Sequence, residues 1–121
     1  MRNATRAFFY YNGAMAEIVK IVVTVPLEHG AKLREAIGNA GGGKIGDNYS
    51  YCSFTLKGIG RFKPDEGAHP FVGEVGKLDE VEEERIEITC EKSMAAKVAK
   101  VIRDNHPYEE PVIDVYPLLS L

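Results

Sequence analysis

The sequence predicts an α+β domain of order β-α-β-β-α-β, a four-stranded antiparallel sheet with two helices on one face. Three observations predict it. Two stretches carry apolar residues at helical spacing, and each follows a segment rich in β-branched residues. Tyr49 to Leu56 and Val81 to Cys90 alternate apolar and polar side chains. Glycines and prolines punctuate the junctions between these segments.

Glu17 to Val25 reads as a strand buried on both faces, hence central, and Pro26 ends it. From Leu27 to Ala40, residues Leu33, Ala36, Ile37 and Ala40 form one apolar stripe of a helix. Glu28 places negative charge in its first turn, and Gly41-Gly42-Gly43 terminates it. Tyr49 to Leu56 reads as the second strand, with Tyr49, Tyr51, Ser53 and Thr55 on one side and Cys52, Phe54 and Leu56 inward. Val81 to Cys90 is the third, with Ile86, Ile88 and Cys90 inward. Ser93 is the expected N-cap of a second helix striped by Met94, Val98, Val101 and Ile102. His106-Pro107 closes that helix, because a residue before proline avoids the α region. Val112 to Leu118 is the last strand.

Two β-α-β units with right-handed crossovers build a ferredoxin-like plait. Both helices then cover one sheet face and leave the other bare. Oligomerisation through that face or the strand edges is the natural solution.

A chain of 121 residues is expected to form a single domain over 15–121, with residues 1–14 a poorly ordered extension. A net charge of −3 argues against a nucleic-acid partner. No apolar stretch approaches the roughly 20 residues of a spanning helix, so no membrane partner is expected. Cys52 and Cys90 lack CxxC spacing and fit neither a disulfide scaffold nor a structural zinc site, which points to the cytoplasm.

The segment Gly58 to Gly76 holds five glycines and two prolines, yet Phe62, Phe71 and Val72 within it need a packing site. It reads as a shaped loop, and shaped loops often carry binding. His106-Pro-Tyr-Glu-Glu-Pro111 sets a histidine and two carboxylates around a rigid turn. That combination suits metal ligation or proton transfer, or else a helix exit in which Tyr108 packs and the glutamates are solvated. His69, near Asp65 and Glu66, could join an ion site, whereas His29 reads as a surface residue. Gly41-Gly-Gly-Lys-Ile-Gly46 follows a helix instead of preceding one, so it is a cap and not a phosphate loop. The acidic run Asp79 to Arg85 reads as a solvated strand start, and no serine sits in a nucleophile elbow.

Five ordered segments carry a resemblance: Gly43-Lys-Ile-Gly-Asp-Asn-Tyr-Ser-Tyr-Cys-Ser-Phe54, Gly58-Ile-Gly-Arg-Phe-Lys-Pro64, Pro70-Phe-Val-Gly-Glu-Val-Gly-Lys-Leu78, Glu84-Arg-Ile-Glu87, and His106-Pro-Tyr-Glu-Glu-Pro111 with Asp114-Val-Tyr-Pro-Leu118. Over residues 17–118 the chain resembles the middle insert of the NIF-three-like (NGG-one-interacting factor) family, itself similar in fold to the CutA and PII proteins. That family forms hexameric toroids with a dinuclear metal centre. The resemblance implies a stand-alone copy of the insert and a trimer-like homo-oligomer. It also sets the glycine loop in a place comparable to the functional loop of PII proteins. The family's metal ligands lie in the domains flanking the insert, so none carries over. Lys44 stands where such inserts often hold histidine, and Asp47 is an extra residue.

Two functions are therefore expected as alternatives. One is a non-catalytic oligomeric binding or regulatory module, with Arg61, Phe62, Pro64 and Tyr108 at loop and subunit boundaries and a small ligand of unknown identity. The other is a CutA-like protein binding a divalent metal through His69, His106, Glu109 and Glu110, brought together by assembly. No covalent nucleophile supports an enzyme.

Overall fold

The computed structural model describes residues 5–6, 8–11 and 14–120 of the chain, with side chains described from 17 to 119. Its strands are β1 (Thr5–Arg6), β2 (Phe8–Tyr11), β3 (Ala14–Pro26), β4 (Phe54–Phe62), β5 (Asp79–Glu91), β6 (Ile113–Pro117) and β7 (Leu119–Ser120). Its helices are α1 (Gly30–Asn39) and α2 (Ala95–Asn105), each entered through a single 3-10 turn, Leu27–His29 and Lys92–Met94. The expected extension at 1–14 lies partly outside the described residues; within it, β1 pairs with β7 and β2 with the start of β3.

The plait follows from pairing. β3 runs antiparallel to β5 on one side and to β6 on the other, and β4 pairs antiparallel with β5. The four strands therefore lie in the order β4-β5-β3-β6, the ferredoxin-like arrangement.

Cross-strand partners share a face, so the register assigns every side chain. Val19, Ile21, Val23 and Val25 of β3 stand with Ile86, Ile88 and Cys90 of β5. These pack with Leu33 and Ile37 of α1 and Val98 and Ile102 of α2 into one core. Burial pushes the Cys90 thiol up to about 11, and the Glu91 charge adds to it, so Cys90 is a small hydrophobe here.

The opposite face holds Ile18, Lys20, Val22, Thr24 and Pro26 with Glu83, Arg85 and Glu87. The bare face expected there forms only in part. Ile18, Val22 and Pro26 are buried, and an ion-pair ladder lies across the face, Lys20 Nζ at 3.2 Å and Arg85 Nε at 3.1 Å from Glu87. Exposure persists at the β4 edge, where Phe54 is 62 % and Leu56 49 % exposed. Both were expected inward, but their partners Glu87 and Arg85 fix them on the helix-free face of an edge strand.

The second strand itself begins later than expected. Ile45 and Tyr49 bridge in a tight turn, and Tyr51 adopts a left-handed φ of 57°, which ends any extended run from Tyr49. Tyr51 is held there by donating its hydroxyl to Asn39 Oδ1 at 2.6 Å. Gly43 pins the segment to the sheet: its N–H donates to Thr89 O and its carbonyl accepts from Cys52 N–H, each at 2.9 Å. Only glycine fits, because φ is +84° and a Cβ would stand 2.4 Å from the Cys52 carbonyl oxygen. Cys52 thus precedes β4, half-buried, instead of lying on an inward strand face. At the other end, β4 continues through Gly58, Gly60 and Phe62, so the irregular connection is 63–78 and not 58–76.

The second helix also starts differently. Met94 is its N-cap and no side chain caps it; Ser93 sits in the 3-10 turn and bonds Glu91 Oε2 at 3.3 Å. Its exit is as expected, with His106 extended at φ −96° and ψ 138°. Among the described residues no helix is long and apolar enough to cross a membrane.

Candidate functional site: a cleft where the long loop meets the helix exit

β3 and β4 end, and β5 begins, at the same end of the sheet. The loop 63–78 and the turn 106–112 emerge there, so two segments distant in sequence become neighbours. Phe71 at the loop's tip packs edge-on against His29, with ring centroids 5.5 Å apart, and lies 6.4 Å from the Tyr108 ring. His29 is thereby half-buried and not simply a surface residue. The His69 N–H donates to Glu109 Oε1 at 2.8 Å, and the loop closes on itself where Gly76 N–H donates to Pro64 O at 2.7 Å.

Between these segments and the helix-free face of the sheet lies a cleft of about 270 Å³. Thr24 and Glu83 form its floor; Gly60, Arg61 and Phe62 come from β4; Pro64, Pro70, Phe71 and Val72 from the loop; Tyr108, Glu109, Glu110 and Val112 from the turn. Of the residues singled out in the sequence, Arg61, Phe62, Pro64, Tyr108, Glu109 and Glu110 all line it. His69 stands at the rim against Glu109, and His106 lies beneath Tyr108 with ring centroids 4.9 Å apart.

His106 is a structural latch. Its Nε2 lies 2.7 Å from the Thr24 carbonyl, and its Nδ1 accepts from Tyr108 N–H at 3.1 Å. A carbonyl only accepts and an amide N–H only donates, so the ring is the neutral tautomer protonated at Nε2. Burial holds its pKa below the usual histidine value, the nearby His29 pulling the same way. The Thr24 bond and the Glu83 charge work against that shift. Neither nitrogen has a free lone pair to offer an ion.

Glu83 is the residue that sequence reasoning misread. It lies in the acidic run expected to be solvated, yet it is 8 % exposed. Its Oε2 accepts from the Tyr108 hydroxyl at 2.8 Å. Burial first, then that bond to Glu83, pushes the Tyr108 phenol well above its usual range, so it is held as a donor. The carboxylate fits because Gly60 has no side chain: a Cβ there would lie 1.9 Å from Glu83 Oε1. The alternating glycines at 58 and 60, facing an acidic strand, were the available signal.

His69 Nδ1 is 3.7 Å from Glu109 Oε2, and both side chains are exposed. Among the described residues no group of three or more His, Cys, Asp or Glu side chains could hold a metal ion. The four residues put forward as ligands thus contribute one pair, His69 with Glu109, within a single chain.

No family model matches the chain. It is 50 % identical over 103 residues to a GTP cyclohydrolase 1 type 2 homolog of Halalkalibacterium halodurans, covering 85 % of this chain and 27 % of that protein. A GTP cyclohydrolase 1 type 2 homolog of Bacillus subtilis is 48 % identical over 99 residues, covering 82 % and 26 %. The chain therefore spans about a quarter of the length of the curated relatives it matches. Among solved structures, a Bacillus cereus protein related to NIF3 superposes with a TM-score of 0.74 at 42 % identity, over 99 % of this chain and 31 % of that one. CutA1 from Shewanella sp. SIB1 superposes with a TM-score of 0.64 at 14 % identity, over 88 % of this chain and 85 % of that one, and shares the fold.

Proposed function

We infer that this chain, related in sequence to one segment of the NIF-three-like proteins and CutA-like in fold, is a non-catalytic binding module that works as a homo-oligomer. The observation carrying this reading is the cleft: the loop 63–78 and the turn 106–112 are joined by aromatic and hydrogen-bond contacts into one concave, mostly apolar site with a few polar groups. Assembly is supported by β4, an edge strand with Phe54, Leu56 and Ile59 exposed, an arrangement proteins usually cover. A trimer is the favoured size, with the cleft near subunit boundaries, and the two free thiols suit the cytoplasm. The activity in the relatives' name is not proposed for this segment alone, which spans about a quarter of those proteins' length.

One observation favours a second reading. The exposed His69–Glu109 pair is half of a divalent-metal site, and symmetry copies could supply the rest. Sedimentation mass and elemental analysis on one untagged sample separate the two. The module reading expects a multimer without stoichiometric metal. A multimer carrying about one metal per subunit, lost in His69→Ala, would establish the second reading, and a monomer would refute assembly in both.

A further inference from the structure

We propose that the cleft is a subsite for an organic cation, an alkylguanidinium or alkylammonium group, bound by the Glu83 carboxylate against the rings of Phe62, Phe71 and Tyr108. This deepens the binding-module reading and rests on it for the cleft's role. Three independent features converge. Glu83 is more than nine-tenths buried at the cleft floor, and one of its oxygens accepts from a neutral phenol. The other, Oε1, lies over Gly60, where any side chain would displace it. No ion pair to Glu83 forms among the described residues, and a buried carboxylate without a cation is costly.

The walls have the matching character. Phe62, Phe71 and Tyr108 all line the cleft, and the Phe71 and Tyr108 rings are tilted by 53° at 6.4 Å. Aromatic faces attract cations within about 6 Å of a ring centroid and repel anions. The mouth adds negative charge through Glu109 and Glu110, while Arg61, the cationic side chain on the lining, is engaged by Glu80 at 3.0 Å. A volume of about 270 Å³ lies just below the usual range for ligand cavities, roughly 300–1,000 Å³. That suits a short alkyl cation or a single basic side chain.

The test is an NMR titration of the full chain with n-butylguanidinium, n-butanol and butyrate, which share an alkyl tail and differ in head group. Saturable shifts from butylguanidinium at cleft amides are expected, with at least tenfold weaker responses to butanol and none to butyrate. Glu83→Gln keeps an acceptor for Tyr108 and should weaken butylguanidinium at least tenfold without changing the spectrum elsewhere. Gly60→Ala, which pushes the carboxylate aside, should do the same should the first variant fold poorly. Equal responses to butanol and butylguanidinium, a preference for butyrate, no cleft response, or unchanged affinity in both variants would each overturn the proposal. Light scattering of the same samples reports assembly separately, so a monomeric mass would defeat the oligomer reading without touching the cation result. It also distinguishes sources: dissociation by saturating butylguanidinium identifies a basic side chain of a second copy as the natural occupant, and an unchanged mass a free small molecule.

Discussion

Replacing His106 by leucine tests how the turn is held. The substitution keeps bulk but removes both ring contacts, leaving the Thr24 carbonyl and the Tyr108 N–H without their partners. Leaving a buried backbone group unsatisfied costs about 1–3 kcal/mol; Thr24 and Tyr108 are only half-buried, so the pair should lose about 2–4 kcal/mol at pH 7.5, the lower part of the doubled range. At roughly 4 °C per kcal/mol for a domain of this size, Tm falls by about 8–16 °C. The pH dependence is the sharper readout. Because burial lowers the folded pKa of His106 from its ordinary 6.5, the unfolded chain takes up a proton first as pH falls. The stabilisation is complete above 6.5 and is lost progressively between 6.5 and the lowered folded value, at no more than about 1.4 kcal/mol per pH unit. The leucine variant lacks this term, so the gap between the two proteins narrows on acidification. Urea unfolding at fixed protein concentration, at pH 7.5 and pH 5.5, measures it. A variant as stable as the parent, or a gap that does not shrink at pH 5.5, would refute the latch.

Three further outcomes are expected. Gly43→Ala should destabilise by about 1–3 kcal/mol, through its left-handed backbone and the clash with the Cys52 carbonyl; an unchanged Tm contradicts the pinning role. Glu87 is held below the ordinary carboxylate pKa of 4.5 by its hydrogen bond to Lys20 first, then by that side chain's charge and by Arg85, all against the opposing effect of burial. Its contribution is therefore full above 4.5 and lost as pH falls through the lower folded value. Glu87→Gln should cost about 0.5–1 kcal/mol at pH 7 and flatten that acid loss in a denaturation series, since partly exposed pairs are worth little. A thiol reagent should label Cys52 in the folded protein and reach buried Cys90, whose pKa stands near 11, only after denaturation; equal labelling rates would argue against the core packing.

The plait was legible because its signals are local. The alternation of Ile86, Ile88 and Cys90 and the spacing of Leu33, Ile37, Val98 and Ile102 encode which side is buried, and those side chains form the core. The second strand was misplaced because Tyr49 to Leu56 also alternates. What breaks that run is Tyr51, whose φ of 57° depends on Asn39 and on the Gly43–Cys52 contact, not on its own neighbours. Gly58 and Gly60 looked like loop residues, yet they occupy an edge strand, where an absent side chain opens space. The cleft-lining residues of the loop and the turn were visible as unusual sequences. Their meeting was not, because it requires Phe71 against Tyr108 and His69 against Glu109, partners 37 and 40 residues apart. Glu83 was hidden for the same reason, as its burial depends on Tyr108, 25 residues downstream.

That one chain assembles its binding cleft from these two segments is the claim on which the functional reading depends. Nuclear Overhauser effects between selectively labelled Phe71 and Tyr108 rings test it directly, with the His29 ring as a second partner. At centroid separations of 6.4 and 5.5 Å, cross-peaks from Phe71 to both rings are expected in the ligand-free protein. A Phe71 ring with contacts to neither would contradict the account.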